Sequence, residues 1–333
     1  MPSNSAPADM RLPRLGNAVL SALPGLVERP GYDRAAVTPG IVHLGIGAFH
    51  RAHQAVYTDT ALRHDPAWGT VGASLRGADT RNALAPQDGL YTVAVRSADG
   101  DALRVIGAVQ RVLVAPERPA ALLETMADPR ICIVSLTVTE KGYCHDPATG
   151  ELNEAHPDII HDLAKPHTPR SAPGLIVAAL AKRRAAGVAP FTVLTCDNLP
   201  ANGRMVKRIL TRFGGLVGRG LGDFVAAELA CPATMVDRIT PATTDADRAR
   251  VAQSLGVSDA WPVMTEPFTQ WVIEDEFTAG RPAWEEAGAE LVRNVEPYEL
   301  MKLRLLNGAH STLAYLGYLA GHETVAETMG EPG

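Results

Sequence analysis

Apolar positions along this chain fall into two rhythms. Short β-branched runs, bounded by glycine or polar residues, occupy the first three hundred positions, and longer helical runs lie between them. Ile41-Val42-His43-Leu44-Gly45-Ile46-Gly47 reads as a buried strand entering a glycine turn, and Phe49 to about His64 suits a helix. Gly69-Thr70-Val71-Gly72-Ala73-Ser74-Leu75, Ile131 to Val138 and Phe191 to Cys196 are further strand candidates, with a helix expected from Pro173 to about Ala186. Buried strands alternating with helices predict an α/β fold with a largely parallel, Rossmann-type sheet. From Pro297 to Tyr318 the pattern is helical throughout. The expected organisation is an N-terminal extension over residues 1–37 and a nucleotide-binding domain over 38–294. Residues 295–333 are expected to begin an α-helical substrate domain. The patch Val19-Leu20-Ser21-Ala22-Leu23 predicts that the extension is partly ordered.

Within the last helical run, Lys302, Asn307 and His310 interrupt an apolar background. A neutral polar group buried without a partner costs about 1–3 kcal/mol, and a charge costs more. Such residues therefore require partners or chemistry. At about 100° per residue, Glu299, Lys302, Asn307 and His310 fall within an arc of roughly 140° that also holds Leu306 and Leu313. Desolvation disfavours the charged form of a lysine, so Lys302 on this face can serve as a general base near neutral pH. Asn307 could hold the developing oxyanion and His310 orient the substrate.

Composition narrows the classes. The 333 residues are 46% hydrophobic and 20% charged, with a formal net charge of -6. That is ordinary for a globular protein of about two domains and provides no basic footprint for nucleic acid. No apolar run reaches the roughly 18 residues of a membrane span. Cys132, Cys144, Cys196 and Cys231 have no CxxC spacing, which argues against a zinc or disulfide framework and for a reduced, cytoplasmic setting.

Gly45-Ile46-Gly47-Ala48-Phe49-His50 lets backbone N–H groups at a helix start approach a pyrophosphate, although His50 stands where a third glycine is usual. Asp79, just beyond the second strand, could bond the adenosine ribose and favour NAD over NADP; Arg76 beside it keeps NADP open. His50 and His53 have helical spacing for a metal but no third ligand nearby, so no metal is expected. Arg51 suits an anion contact or an internal ion pair. Three polar segments follow strand candidates and are expected to be loops at the site: Thr139 to Tyr143, Cys196 to Leu199, and Met235 to Ile239.

Together these motifs resemble the mannitol dehydrogenase family of polyol-specific long-chain dehydrogenases. The resemblance runs from about residue 38 to residue 330. It rests on Ile41 to Ala55, Ser135 to Glu140, Thr195-Cys196-Asp197-Asn198, Met235-Val236-Asp237-Arg238-Ile239, and Lys302 with Asn307 and His310. It implies metal-independent, NAD(P)-linked interconversion of a secondary alcohol and a ketone on an open-chain sugar derivative. By motif, Lys302 is then the general base or acid, Asn198 and Asn307 bind the reacting oxygen, and Asp237 and His310 orient substrate and lysine. The cofactor contacts implied are Gly45, Gly47, Phe49, His50, Arg51 and Asp79. Thr139 to Cys144 and Met301 to Leu305 look more like the fructuronate-reducing branch than the mannitol-oxidising one. A carboxylate substrate would pair with Lys141 or Arg304, so D-mannonate/D-fructuronate is the expected pair and mannitol/fructose the alternative. Relatives of this kind run on well past residue 333. The sequence therefore predicts an incomplete chain with an exposed apolar face and low activity, with a nucleotide-binding fragment lacking turnover as the competing outcome.

Overall fold

The computed structural model describes residues 12–97 and 100–330; the first eleven residues of the expected extension lie outside the described residues. Among the described residues, eleven strands form three sheets. They are β1 (Pro39–Leu44), β2 (Gly69–Ser74), β3 (Tyr91–Ser97), β4 (Gly100–Ile106), β5 (Val109–Val114), β6 (Ile133–Leu136), β7 (Thr192–Thr195), β8 (Thr234–Asp237), β9 (Val263–Thr265), β10 (Gln270–Glu274) and β11 (Glu290–Val292). The central sheet has order β5-β2-β1-β6-β7, and every neighbouring pair is parallel. The fold is thus α/β, with a Rossmann-type parallel sheet and a helical C-terminal region.

All four strands expected from their apolar runs lie in this sheet, because a strand covered on both faces can be apolar at every position. In β1, Ile41, Val42 and Leu44 are each at most 3% exposed. Burying such side chains contributes roughly 1.5–3 kcal/mol apiece. On one face the sheet packs against helices Pro119–Ala127, Ala172–Ala185 and Asn202–Val217, and Leu122, Leu175, Ile209 and Phe213 join one core with Val42 and Val134. Ser171 starts the second of these helices by accepting the Gly174 amide on its Oγ at 2.9 Å.

Two smaller sheets flank the site. In one, β8 runs antiparallel to β10, which pairs parallel with β11. In the other, β3 pairs antiparallel with β4 and parallel with β9. Residues 12–37 pack on that second group, where Leu15, Leu23 and Val27 are buried beside Leu90 and Val105.

Three local expectations are corrected. The helix expected from Phe49 to His64 is two segments, Ala48–Ala52 and Gln54–Ala61, broken at His53, whose φ of -119° and ψ of -92° are not helical. Met235 to Asp237 lie within β8 rather than in a loop, since their backbone pairs with Trp271 and Val272. Thr139–Gly142 forms one helical turn rather than a loop. The last helical run is continuous from Glu296 to Ala320, but Lys302–Asn307 adopts π-helical hydrogen bonding.

Candidate active site

Two clefts open at the carboxyl ends of the parallel strands, and one wall separates them. The chain passes from β1 outward to β2 and β5, then returns to the other side of β1 for β6 and β7. In open α/β sheets, ligands bind where strand order reverses in this way. The larger cleft, about 520 Å³, lies there and is lined by Gly45, Ile46, Gly47, Ser74, Arg76, Gly77, Thr137 and Lys141 among others. Gly45 has φ +91°, and a Cβ at that position would lie 2.1 Å from the Thr137 carbonyl oxygen. Only glycine fits. Gly47 differs, since a Cβ there would meet nothing closer than the Gly45 carbonyl oxygen at 3.8 Å. The backbone at Gly47 is therefore open to a neighbouring group.

Behind this turn lies a buried imidazole stack. His43 and His50 have ring centroids 3.4 Å apart and are tilted by 16°. His43 binds Ser135 Oγ and Thr137 Oγ1, each at 2.8 Å. Burial lowers its pKa to about 3, and holds His50 well below the usual histidine range. His53 is also pushed down to about 3 by burial. Its Nε2 binds the Gln270 carbonyl at 2.8 Å, and its Nδ1 is engaged by the Gln54 amide at 3.0 Å. His50 and His53 thus face different partners. Arg51 is buried, donates from Nη1 to the Trp261 carbonyl at 2.5 Å, and lies over the Tyr91 ring. Burial lowers its pKa to about 10. Phe49 stacks on His53 with centroids 5.1 Å apart. Phe49, His50 and Arg51 do not line the larger cleft, and Arg51 edges a small cleft with Gly47 and Arg248. Asp79 is exposed at the start of helix Asp79–Leu84, while Arg76, Gly77 and Thr80 form the cleft wall beside it.

The smaller cleft, about 140 Å³, is lined by Asn198, Thr234, Val236, Glu299, Lys302 and Asn307 among others. Lys302 Nζ donates to the Val236 carbonyl at 2.6 Å and to Asn198 Oδ1 at 3.4 Å, and lies 3.7 Å from Asp237 Oδ1. Burial lowers the lysine's pKa, and the Asp237 carboxylate partly restores it. The π turn brings Asn307 to the same cleft. With i→i+5 hydrogen bonding, the residue five places on approaches the position that four places on holds in an α-helix. Glu299 accepts the Ala201 amide on Oε2 at 3.3 Å, its Oε1 is buried without a hydrogen-bond partner, and burial raises its pKa.

Lys302, Asn198, Asp237 and Asn307 are therefore brought together. His310 and Arg304 are exposed and line neither cleft, and Lys141 belongs to the larger cleft. The partition between the clefts is built by residues to which the sequence assigned no role. Asp197 accepts the Val138 amide at 2.9 Å, the Thr139 amide at 3.0 Å and the Tyr143 hydroxyl at 2.6 Å. Asn202 donates to the carbonyls of Asp197 and Thr234 and accepts the Thr234 amide at 3.0 Å. It thereby ties the end of β7 to β8. The left-handed Ala201 just before Asn202, φ 46°, has no sequence signature. The Val236 carbonyl carries none either, being backbone.

Comparison with known proteins gives a consistent assignment. Residues 39–286 match the mannitol dehydrogenase Rossmann domain, and residues 294–333 match the mannitol dehydrogenase C-terminal domain. The chain is 50% identical over 318 residues to the uncharacterized oxidoreductase YdfI of Escherichia coli K12, covering 95% of this chain and 65% of that protein. It is 46% identical over 327 residues to a mannitol 2-dehydrogenase of Pyrenophora tritici-repentis, covering 96% of this chain and 58% of that one. The structure of Pseudomonas fluorescens mannitol 2-dehydrogenase, a ternary complex with NAD and D-mannitol, superposes with a TM-score of 0.90 at 45% identity. That match covers 96% of this chain and 66% of the other. The chain thus spans less than two thirds of the length of the two sequence relatives, and on these matches it belongs to the mannitol dehydrogenase family.

Proposed function

We propose that this chain carries the chemical centre of an NAD-dependent polyol dehydrogenase. In this reading Lys302 is the general base for alcohol oxidation and the general acid for ketone reduction. One observation carries it: a half-buried lysine of lowered proton affinity shares a cleft with two carboxamides at the carboxyl ends of parallel strands. The neutral amine takes the hydroxyl proton, and the Asn198 and Asn307 amides hold the substrate oxygen as charge develops on it. Asp237 tunes the lysine, and the Val236 carbonyl fixes where Nζ sits.

NAD fits the larger cleft. Gly45 permits the tight turn, and Gly47 offers an unobstructed backbone at a helix start. When bound there, NAD supplies the hydride acceptor. Residues 38–294 then form the nucleotide-binding domain and 295–333 belong to the helical substrate domain, in keeping with the two matched stretches. The free state of all four cysteines fits a reducing, cytoplasmic setting.

A neutral open-chain polyol such as mannitol is the favoured substrate class. The sequence expectation of D-mannonate/D-fructuronate rests on Lys141 or Arg304 meeting a carboxylate, and neither lines the Lys302 cleft. The test is a substrate panel following nicotinamide absorbance, with mannitol, fructose, mannonate and fructuronate each run with NAD(H) and NADP(H). Higher kcat/KM for the mannitol/fructose pair with NAD(H) is expected. A preference for fructuronate would overturn the polyol assignment, and a preference for NADPH would overturn the cofactor.

A further inference from the structure

Cys144 stands in a backbone state that nothing in the proposed chemistry requires. Its φ is +53°, a left-handed conformation uncommon for a residue with a side chain, and such strain gathers at functional positions. The chain after it doubles back. His145 bridges to Leu152, and the Asn153 amide donates to the Cys144 carbonyl at 2.9 Å. The His156 amide then donates to the Asn153 carbonyl at 3.0 Å, which delivers His156 and Asp158 to the side of Cys144.

One donor atom from each of Cys144, His156 and Asp158 lies within 4.8 Å of the other two. His156 Nδ1 accepts the Asp158 amide at 3.2 Å, which engages its lone pair and places the ring proton on Nε2, and Nδ1 stands 4.0 Å from Asp158 Oδ2. The three residues line the larger cleft. Burial and the charges of Asp158 and Asp162 push the Cys144 thiol up to about 12. A thiol in that field is a poor nucleophile at neutral pH, but the same negative field attracts a cation.

We propose that Cys144 Sγ, His156 Nδ1 and the Asp158 carboxylate form a binding site for a borderline-soft divalent cation of the zinc type, with the fourth position open to the cleft. Sulfur, imidazole and carboxylate are the donor set that zinc accepts, and three protein ligands with one open position is a recognised arrangement. On binding, the thiol proton is released to solvent and the long His156 cap contact is exchanged for the metal bond. Zinc–ligand bonds of about 2.0–2.3 Å require the donors to draw closer by roughly 1 Å. Asp158 is half exposed at the start of helix Pro157–Ala164 and is free to move inward. The site is separate from Lys302, so it stands whether or not the chain turns over a polyol. An ion there would alter the wall of the cleft that Gly45 and Gly47 also line rather than take part in hydride transfer.

The experiment is titration of the 333-residue protein with Co²⁺, read by absorption, followed by displacement with Zn²⁺. One equivalent with a thiolate-to-cobalt charge-transfer band is expected in the unmodified protein and in Cys132→Ser. The band should vanish in Cys144→Ser, and affinity should fall at least tenfold in Asp158→Asn, a surface change that leaves the core intact. No band in the unmodified protein, a band persisting in folded Cys144→Ser, or unchanged affinity in Asp158→Asn would overturn the site.

Discussion

Lys302 Nζ lies 3.7 Å from Asp237 Oδ1, with burial lowering the lysine's proton affinity and the carboxylate raising it. These opposed effects determine where the site titrates. The carboxylate favours the ammonium, so Asp237→Asn lowers the lysine pKa further. On the proposed mechanism alcohol oxidation, which needs the neutral amine, should then reach its plateau at lower pH, while ketone reduction should fade earlier as pH rises. Profiles of kcat/KM against pH in both directions measure this. A shift to higher pH in Asp237→Asn would refute it.

Lys302→Ala removes the proposed proton acceptor without touching the glycine turn. The expected loss in kcat is about 10²–10⁴-fold, the usual contribution of general acid–base catalysis, with NADH affinity unchanged. Turnover and NADH fluorescence titration on the same preparation separate the two effects.

Two glycines of one turn should respond differently to alanine. At Gly45 the added methyl meets the Thr137 carbonyl oxygen at 2.1 Å and the backbone has positive φ, so Gly45→Ala should cost more than about 2 kcal/mol and lower Tm by several degrees. At Gly47 there is room, so Gly47→Ala should leave Tm within a degree or two. Its methyl would instead project where a nucleotide must approach, weakening NADH binding at least tenfold. Thermal denaturation together with NADH titration tests both halves.

Asp197 supports the partition between the clefts. Replacing it with alanine leaves the part-buried Val138 amide without its acceptor, whereas the exposed Thr139 amide can turn to water and the Tyr143 hydroxyl keeps Thr195 Oγ1. A buried donor left unsatisfied costs about 1–3 kcal/mol. The variant should be destabilised by about 1–3 kcal/mol in urea unfolding and should lose activity as the partition loosens, with Asp197→Asn less affected.

Stability should also depend on acid. His43 and His53 are held neutral down to about pH 3 by burial, and His50 is depressed in the same direction, whereas unfolded histidines take up protons near 6.5. Below that value the unfolded chain binds more protons than the folded one, so these groups withdraw stability as pH falls from about 6.5 toward 3. Urea unfolding at stepped pH should show this slope, made shallower by His43→Asn if the fold is retained.

The sequence made legible what local composition determines. The strands β1, β2, β6 and β7 are covered on both faces, and their unbroken apolar runs declare it. The local pattern at β8 reads as a loop because its pairing with β10 is a long-range contact that no local pattern encodes. β5 and the β3–β4 hairpin carry a similarly weak local signal. Their runs, such as Tyr91 to Ser97 and Asp101 to Ile106, mix arginine and threonine with apolar residues and become strands through their partners. In the site, Lys302, Asn198, Asp237 and Asn307 were identifiable as side chains. The Val236 carbonyl, the Asp197 partition and the Asn202 tie were not, since their roles lie in backbone geometry. His310 shared an arc with Lys302 on an ideal helical wheel but is exposed in the structure, and the π turn between them changes the phase on which that wheel relied.

That turn has a consequence for how the helix tolerates change in length. A π turn holds one residue more than the α turn it replaces, so deleting one residue between Leu303 and Leu306 would let the segment relax to ordinary α geometry without breaking the helix. The shortened helix could be the more regular of the two, yet the carboxamide now at Asn307 would be reset relative to the lysine. Helicity and function would then part company. The extra residue works as a spacer, held at some cost in backbone geometry, that aligns two side chains an ideal helix would leave out of step.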